Sequence, residues 1–254
     1  MAELAPGNIL QKMYLKERIA QLHPKTFCEI GSGNGYLSKL FLDKGMSGRG
    51  YDLNESACKN NTELNQQYIN NKQYTVTCGD FFDSVSGAQF DYIISCMVIE
   101  HLDQDMVNKY FENCKKALTS NGVLAVFVPA NMKYWGIEDV IAGHFKRYSF
   151  DDFKDIAKKN SLTISDIAGL NFPISNWLLR LSNYLVKKNE GYKEEMTMQE
   201  QTVLSGNRNV KFKTSFPWYF KLILNDVTMY PFHLMQKMNK NNSKSMVIYC
   251  EFKK

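Results

Sequence analysis

The 254-residue chain predicts an α/β fold built on a parallel sheet with crossover helices, and three observations carry that prediction. From residue 26 to about residue 128, short apolar runs of strand length alternate with helical patterns. The run Glu29-Ile30-Gly31-Ser32-Gly33-Asn34-Gly35 lies between the apolar segment Thr26 to Cys28 and the amphipathic segment Tyr36 to Lys44, in the order strand, glycine turn, helix start. Two later strand-like runs lead into acidic residues, Asp52 and Asp80, at the carboxyl edge where such sheets bind ligands.

Taken in order, Asn8 to Leu22 reads as a leading helix that Pro24 stops, expected to pack over the mouth of the ligand site. After the glycine turn, Gly50-Tyr51-Asp52-Leu53 ends a second short strand, and Gly79-Asp80-Phe81 follows a third, Tyr74 to Cys78. Phe90 to Cys96 is the fourth strand, followed by Val98-Ile99-Glu100-His101-Leu102. Leu118 to Val128, with Asn121-Gly122 as its turn, is a helix end and the fifth strand. Ser149-Phe150-Asp151-Asp152-Phe153 opens a helix with acid in its first turn, Leu162 to Ala168 is the sixth strand, and Ser245 to Phe252 alternates as a terminal one. Residues 170–244, between those last two strands, are far more than a hairpin needs. Within them Asn176 to Val186 is helical and apolar on one face, the charged run Lys187 to Glu200 is expected as a solvent-facing connection, and Phe212 to Met238 as one or two amphipathic helices. Internal repeats and low-complexity segments are absent from the sequence.

Glycines at alternate positions let the main chain approach a nucleotide-like ligand without Cβ atoms in the way. A dinucleotide fingerprint G-x-G-x-x-G would place its third glycine at position 36, but Tyr36 stands there and the third glycine is Gly35. That departure favours a sulfonium cofactor over a pyrophosphate one. With its acidic-x-G-x-G-x-G run, Asp52 about 20 residues beyond the glycines, Gly79-Asp80, Phe90 to Cys96 and the "EHL" run Glu100-His101-Leu102, the chain resembles the class I S-adenosylmethionine-dependent methyltransferases over residues 26–130. The resemblance implies a Rossmann-like seven-stranded sheet with helices on both faces, a last strand antiparallel and inserted between the fifth and sixth, and a helical insertion before it. It assigns residues 1–169 and 245–254 to the cofactor-binding core and 170–244 to a helical, aromatic-rich substrate-binding insertion. S-Adenosyl-L-methionine is the implied cofactor, held by Glu29, Gly31, Ser32, Gly33, Gly35, Asp52, Leu53, Asp80, Phe81 and Cys96. Asp52 would take the ribose hydroxyls, and Asp80 would lie beside the adenine.

Methyl transfer from a sulfonium is an in-line displacement at carbon, so aligning donor and acceptor and excluding water is the main catalytic effect. An alcohol acceptor also needs a base or a metal, whereas an amine needs only to arrive neutral. His144, in Gly143-His144-Phe145-Lys146-Arg147-Tyr148, is the candidate base, since imidazole titrates near neutral pH. The stretch is similar to a "GHxRxY/F" element of methyltransferases from sugar, polysaccharide and lipid-precursor pathways. A histidine that only caps or packs its loop is the competing reading. Arg147 and Tyr148 are candidate substrate-binding residues, a guanidinium pairing bidentately with phosphate or sugar oxygens, and a surface ion pair is the alternative. Related ubiquinone-pathway enzymes associate a Glu-x-x-Glu-His run with a divalent metal, but Met97 replaces the first carboxylate here, so no metal is expected. Glu100 and His101 are then expected to shape the acceptor side of the pocket or to hold its loop. Asn207 and Arg208 form a second polar cluster, and His23 and His233, beside prolines, read as turn and packing residues.

The net charge is +5, and residues 211–254 contain eight lysines against Asp226 and Glu251. Such a basic, aromatic segment suits a phosphate-bearing substrate, an anionic membrane surface or nucleic acid, or is simply solvated. The six scattered cysteines include no C-x-x-C pair, the first residues lack a secretory pattern, and Phe216 to Met235 is too interrupted to span a bilayer. A cytoplasmic protein follows, with membrane-peripheral contact through 211–244 and a homodimer left open. The acceptor expected is a small or lipid-linked hydroxyl or amine, such as a sugar or polysaccharide precursor: the aromatic-rich insertion either buries a small core of its own or receives an apolar chain. RNA or protein methylation and a non-catalytic binding protein are the alternatives, and nucleic acid is not expected because the Asp/Asn-Pro-Pro-Tyr/Phe element is missing after the fourth strand.

Overall fold

The computed structural model describes residues 5–84, 87–197, 201, 210, 212–213 and 216–254. Seven strands, β1 (Thr26–Ile30), β2 (Ser47–Asp52), β3 (Tyr74–Cys78), β4 (Phe90–Cys96), β5 (Leu118–Pro129), β6 (Thr163–Leu170) and β7 (Val247–Lys253), form one sheet in the order β3-β2-β1-β4-β5-β7-β6. The helices are α1 (Pro6–Leu22), α2 (Tyr36–Leu42), α3 (Glu55–Leu64), α4 (Gln66–Asn70), α5 (Phe81–Ser84), α6 (Gln104–Ala117), α7 (Ile137–Ala142), α8 (Phe150–Asn160), α9 (Ile174–Glu190) and α10 (Asp226–Met238). β1 runs parallel to β2 and β4, β2 to β3, and β4 to β5, while the last strand is inserted between β5 and β6 in a mixed sheet. This is the Rossmann-like α/β arrangement that the resemblance implies. Strand order reverses between β1 and β4, and in open parallel sheets that switch point marks the ligand crevice.

The chain divides into two compact units: Met1–His23, Pro129–Ser149 and Ile167–Tyr249 make the first, and Pro24–Val128, Phe150–Asp166 and Cys250–Lys254 the second. In the second unit, the central strands read as nearly unbroken apolar runs because both faces are covered, and Phe27, Cys28, Ile93 and Ile94 have no exposed surface. The Phe27 ring meets Phe41 at 5.0 Å and Tyr74 at 5.9 Å. Helices α6 and α8 pack together, and Phe111 and Phe153 both meet the Phe252 ring, at 5.3 and 5.9 Å. Strand β1 continues through Glu29 and Ile30, which pair with Gly50 and Tyr51, so the turn begins two residues later than the apolar segment suggested.

In the first unit, α1 packs against α9 and α10 through Ile9, Leu10, Met13, Ile174 and Met229. His23 closes α1 in a left-handed conformation. His233 is buried, with Nε2 2.8 Å from Glu17 Oε1 and Nδ1 accepting from Gln236, whose amide also donates to the Leu10 carbonyl at 2.9 Å. Both histidines are the turn and packing residues expected.

One region departs from the sequence-based reading, and a second refines it. The charged run after Val186 stays helical to Glu190 and then forms a 3-10 turn, Gly191–Glu195, in which Lys193 Nζ meets Glu190 Oε1 at 2.6 Å with both side chains buried. Mutual neutralisation three residues apart lets charges face inward there. Phe212 to Met238 resolves into a 3-10 turn, Trp218–Leu222, followed by α10, which Asn225 caps by accepting from the Val227 and Thr228 N–H groups.

Candidate active site

Strand registers Ile30↔Tyr51, Ile30↔Ser95 and Asp52↔Cys78 bring the ends of β1 to β4 to one edge in the second unit. Gly31, Gly33 and Gly35 all take positive φ, at 73°, 51° and 80°. Gly33 has nothing within 4 Å of where a Cβ would stand, so the main chain there is open to the approach of another molecule. Gly35 has a different reason: a Cβ there would land 2.2 Å from Asn61 Oδ1, so its absence allows α2 to start against α3.

Asp52 is half-buried and locks the turn, accepting the Gly33 N–H at 2.7 Å and the Asn54 N–H at 2.9 Å. Its backbone carbonyl accepts the Gly79 N–H, while Asp80 accepts the Phe82 N–H at 2.9 Å. Leu53 is exposed, and Phe81 is buried edge-on against Tyr51 at 5.4 Å. Cys96 is half-buried at the end of β4, and burial pushes its thiol up to about 12, so it is neutral at physiological pH. Met97 adopts φ 57° and hands the chain to Val98, whose side chain occupies the space a Gly31 Cβ would need. Glu100 is buried and His101 half-buried in the 3-10 turn Ile99–His101.

Behind the turn runs a buried polar chain that the residue pattern did not reveal. Ser38 donates to Glu29 Oε2 at 2.5 Å and accepts from the Tyr74 hydroxyl at 2.7 Å; Asn61 Nδ2 lies 3.1 Å from that hydroxyl and 3.0 Å from Ser32 Oγ. Burial pushes the Glu29 carboxyl up to about 8, against the pull of the Ser38 hydrogen bond. Ser38, Asn61 and Tyr74 lie far apart in sequence, so no spacing marks them as a group.

The first unit holds the second candidate centre. The loop leaving Pro129 returns as a bridge between Ala130 and Tyr148, with the Tyr148 N–H on the Pro129 carbonyl and the Asn131 N–H on the Tyr148 carbonyl. Between these anchors α7 presents Asp139, fully buried, to His144 Nδ1 at 2.9 Å and to Arg147 Nε at 2.7 Å. Burial alone would raise the Asp139 carboxyl, but hydrogen bonds from His144 and Arg147 outweigh it and hold the group below the usual carboxylate range. An ionised carboxylate only accepts, so a neutral His144 carries its proton on Nδ1 and keeps Nε2 as the ring's acceptor. Arg147 is buried, with Nε donating to Asp139 and Nη1 to the Ala130 carbonyl. Tyr148 is buried as well, with the Lys146 ammonium 4.9 Å from its ring centroid.

Sequence reading missed Asp139. Gly143 in the left-handed region at the end of α7, with the His144 N–H on the Asp139 carbonyl, turns residues five and eight positions later back onto one carboxylate. A glycine after a short apolar-acidic segment was the available signal. Asn207 and Arg208 lie outside the described residues.

Residues 28–124 match the sequence family described as a methyltransferase domain. No curated protein matches the chain. Among solved structures, the fold is similar to a proposed sarcosine dimethylglycine methyltransferase from Galdieria sulphuraria, with a TM-score of 0.58 and 16% identity over 95% of this chain and 84% of that one. It is also similar to magnesium protoporphyrin IX methyltransferase from Synechocystis, with a TM-score of 0.53 and 16% identity over 65% and 78% of the two chains. For an S-adenosylmethionine-dependent methyltransferase from Clostridium acetobutylicum the TM-score is 0.51, with 14% identity over 63% and 82%. At these identities the likeness establishes the fold. Residues 28–124 of this enzyme match a methyltransferase domain, and its fold is the class I methyltransferase architecture.

Proposed function

We propose that this enzyme methylates a hydroxyl group on a small or lipid-linked acceptor, such as a sugar or polysaccharide precursor, with His144 as general base. S-Adenosylmethionine is the cofactor, and when bound it supplies a methyl group on a positively charged sulfur. Fit to that cofactor rests on the open cradle at Gly33 and on the carboxylates of Asp52 and Asp80 at the same sheet edge. Main-chain groups of Gly31 to Gly35 and the side chains of Ser32, Asp52, Leu53, Asp80, Phe81 and Cys96 would hold it.

The observation that carries the hydroxyl reading is the Asp139–His144 pair. An amine acceptor arrives with its own lone pair, whereas an alcohol must lose a proton as its oxygen bonds to carbon. His144 Nε2 takes that proton, Asp139 holds the ring orientation and stabilises the imidazolium, and Arg147 keeps the carboxylate ionised. Glu100 and His101 shape the acceptor side, and residues 170–244 form the acceptor-binding insertion.

The test is transfer of labelled methyl groups to small-molecule and lipid extracts, run with His144→Ala and Asp139→Asn. The expected loss for His144→Ala is about 10²- to 10⁴-fold in turnover, with cofactor affinity by calorimetry unchanged. Turnover equal to that of the parent would end the base role.

A further inference from the structure

The helix α10 packs on α1 with one side only. Met229, His233 and Gln236 are its buried side, while Val227, Tyr230, Leu234 and Met238 recur at spacings of three and four residues on an exposed stripe. Exposure is nearly complete at the ends of that stripe, 82% at Val227 and 85% at Met238. The 3-10 turn just before it adds Trp218 at 77% and Leu222 at 73%, with Tyr219 and Ile223 also exposed. Single exposed apolar residues are ordinary; a run of this kind over two successive elements marks an interaction surface.

Charge decides what fits it. Between residues 216 and 244 the cations are Lys221, Lys237, Lys240 and Lys244; Lys237 pairs with Glu17, and the one acidic side chain in that stretch of sequence, Asp226, pairs with Lys16. Tryptophan, tyrosine and lysine together with aliphatic side chains make up the composition of helices that lie in the headgroup layer, where ring edges and ammonium groups reach water while the apolar side sinks. Helix α9 repeats the combination: Trp177, Leu178, Leu181 and Tyr184 are exposed alongside Arg180 and Lys187. A second copy of the chain on the same face would bring lysines against lysines, which opposes a symmetric dimer there. No helix among the described residues is long and apolar enough to cross a membrane.

We propose that the exposed face of α10 and the 3-10 turn preceding it dock on an anionic lipid bilayer. This goes beyond the catalytic reading, because vesicle binding is measured without turnover. The probes are phosphatidylcholine vesicles and vesicles with about 30 mol % phosphatidylglycerol added, anionic lipid being the partner that clustered lysines recognise. The protein should sediment with the anionic vesicles, and added salt should release it. Val227→Asp with Leu234→Asp, and separately Lys221→Glu with Lys240→Glu, should each weaken binding by at least about tenfold. All four positions are solvent-facing, and unchanged calorimetric affinity for S-adenosylmethionine in these variants separates loss of docking from loss of the methyltransferase site. In a Trp135→Phe, Trp177→Phe variant, Trp218 emission should shift to the blue on adding anionic vesicles. Equal behaviour with neutral and anionic vesicles, or a silent Trp218, overturns the proposal. So does a concentration-dependent dimer, broken by Val227→Asp, that shows no affinity for vesicles.

Discussion

A carboxyl group buried behind a cofactor turn responds to pH differently from one at the surface. Glu29 is held up to about 8 against a usual value of 4.5, because burial penalises its charged form more than Ser38 supports it. The folded chain therefore binds this proton more tightly than the unfolded chain. The stabilisation is complete below about pH 4.5 and is lost as pH rises toward about 8. Glu29→Gln is expected to flatten this pH dependence, which urea unfolding between about pH 5 and pH 8 measures. Glu29 itself was legible from the glycine motif, but its burial, its partner Ser38 and the Tyr74 that donates to Ser38 were not, since hydrogen bonding across 9 and 36 residues leaves no periodic trace.

At the level of elements, the central strands β4 and β5 were read most faithfully, because burial on both faces writes itself into the chain as nearly unbroken apolar runs. Short elements were not. Helix α7 has six residues, too few for a helical period to appear, yet it delivers the Asp139 that organises His144 and Arg147. The turn joining β1 to α2 separates two roles that look alike in sequence. Gly33→Ala should cost only about 1–2 kcal/mol of stability, the penalty of a left-handed alanine in open space. Gly35→Ala should cost about 2–4 kcal/mol, since the same penalty adds to a collision with Asn61 between α2 and α3. Urea unfolding of the two variants measures the difference, and equal losses would contradict the packing account of Gly35.

For the whole molecule, ligand effects are followed element by element. S-Adenosylhomocysteine at 100 times its dissociation constant should add about 2.7 kcal/mol of protection, visible as slower amide exchange in β1, β2 and β4. Gly33→Val should abolish that protection, because its side chain occupies the open cradle.

The sequence by itself determined the strand–turn–helix order, the glycine and acidic residues at one sheet edge, and the candidate histidine, because these are local patterns of burial period and backbone freedom. Only tertiary structure decided that Arg147 points inward, that Glu190 and Lys193 bury each other, that a polar chain supports Glu29, and that one side of α10 faces solvent. Each of those depends on which groups meet across chain separations or folds that no repeat encodes, and a charged or apolar side chain takes its role from the partner it finds there.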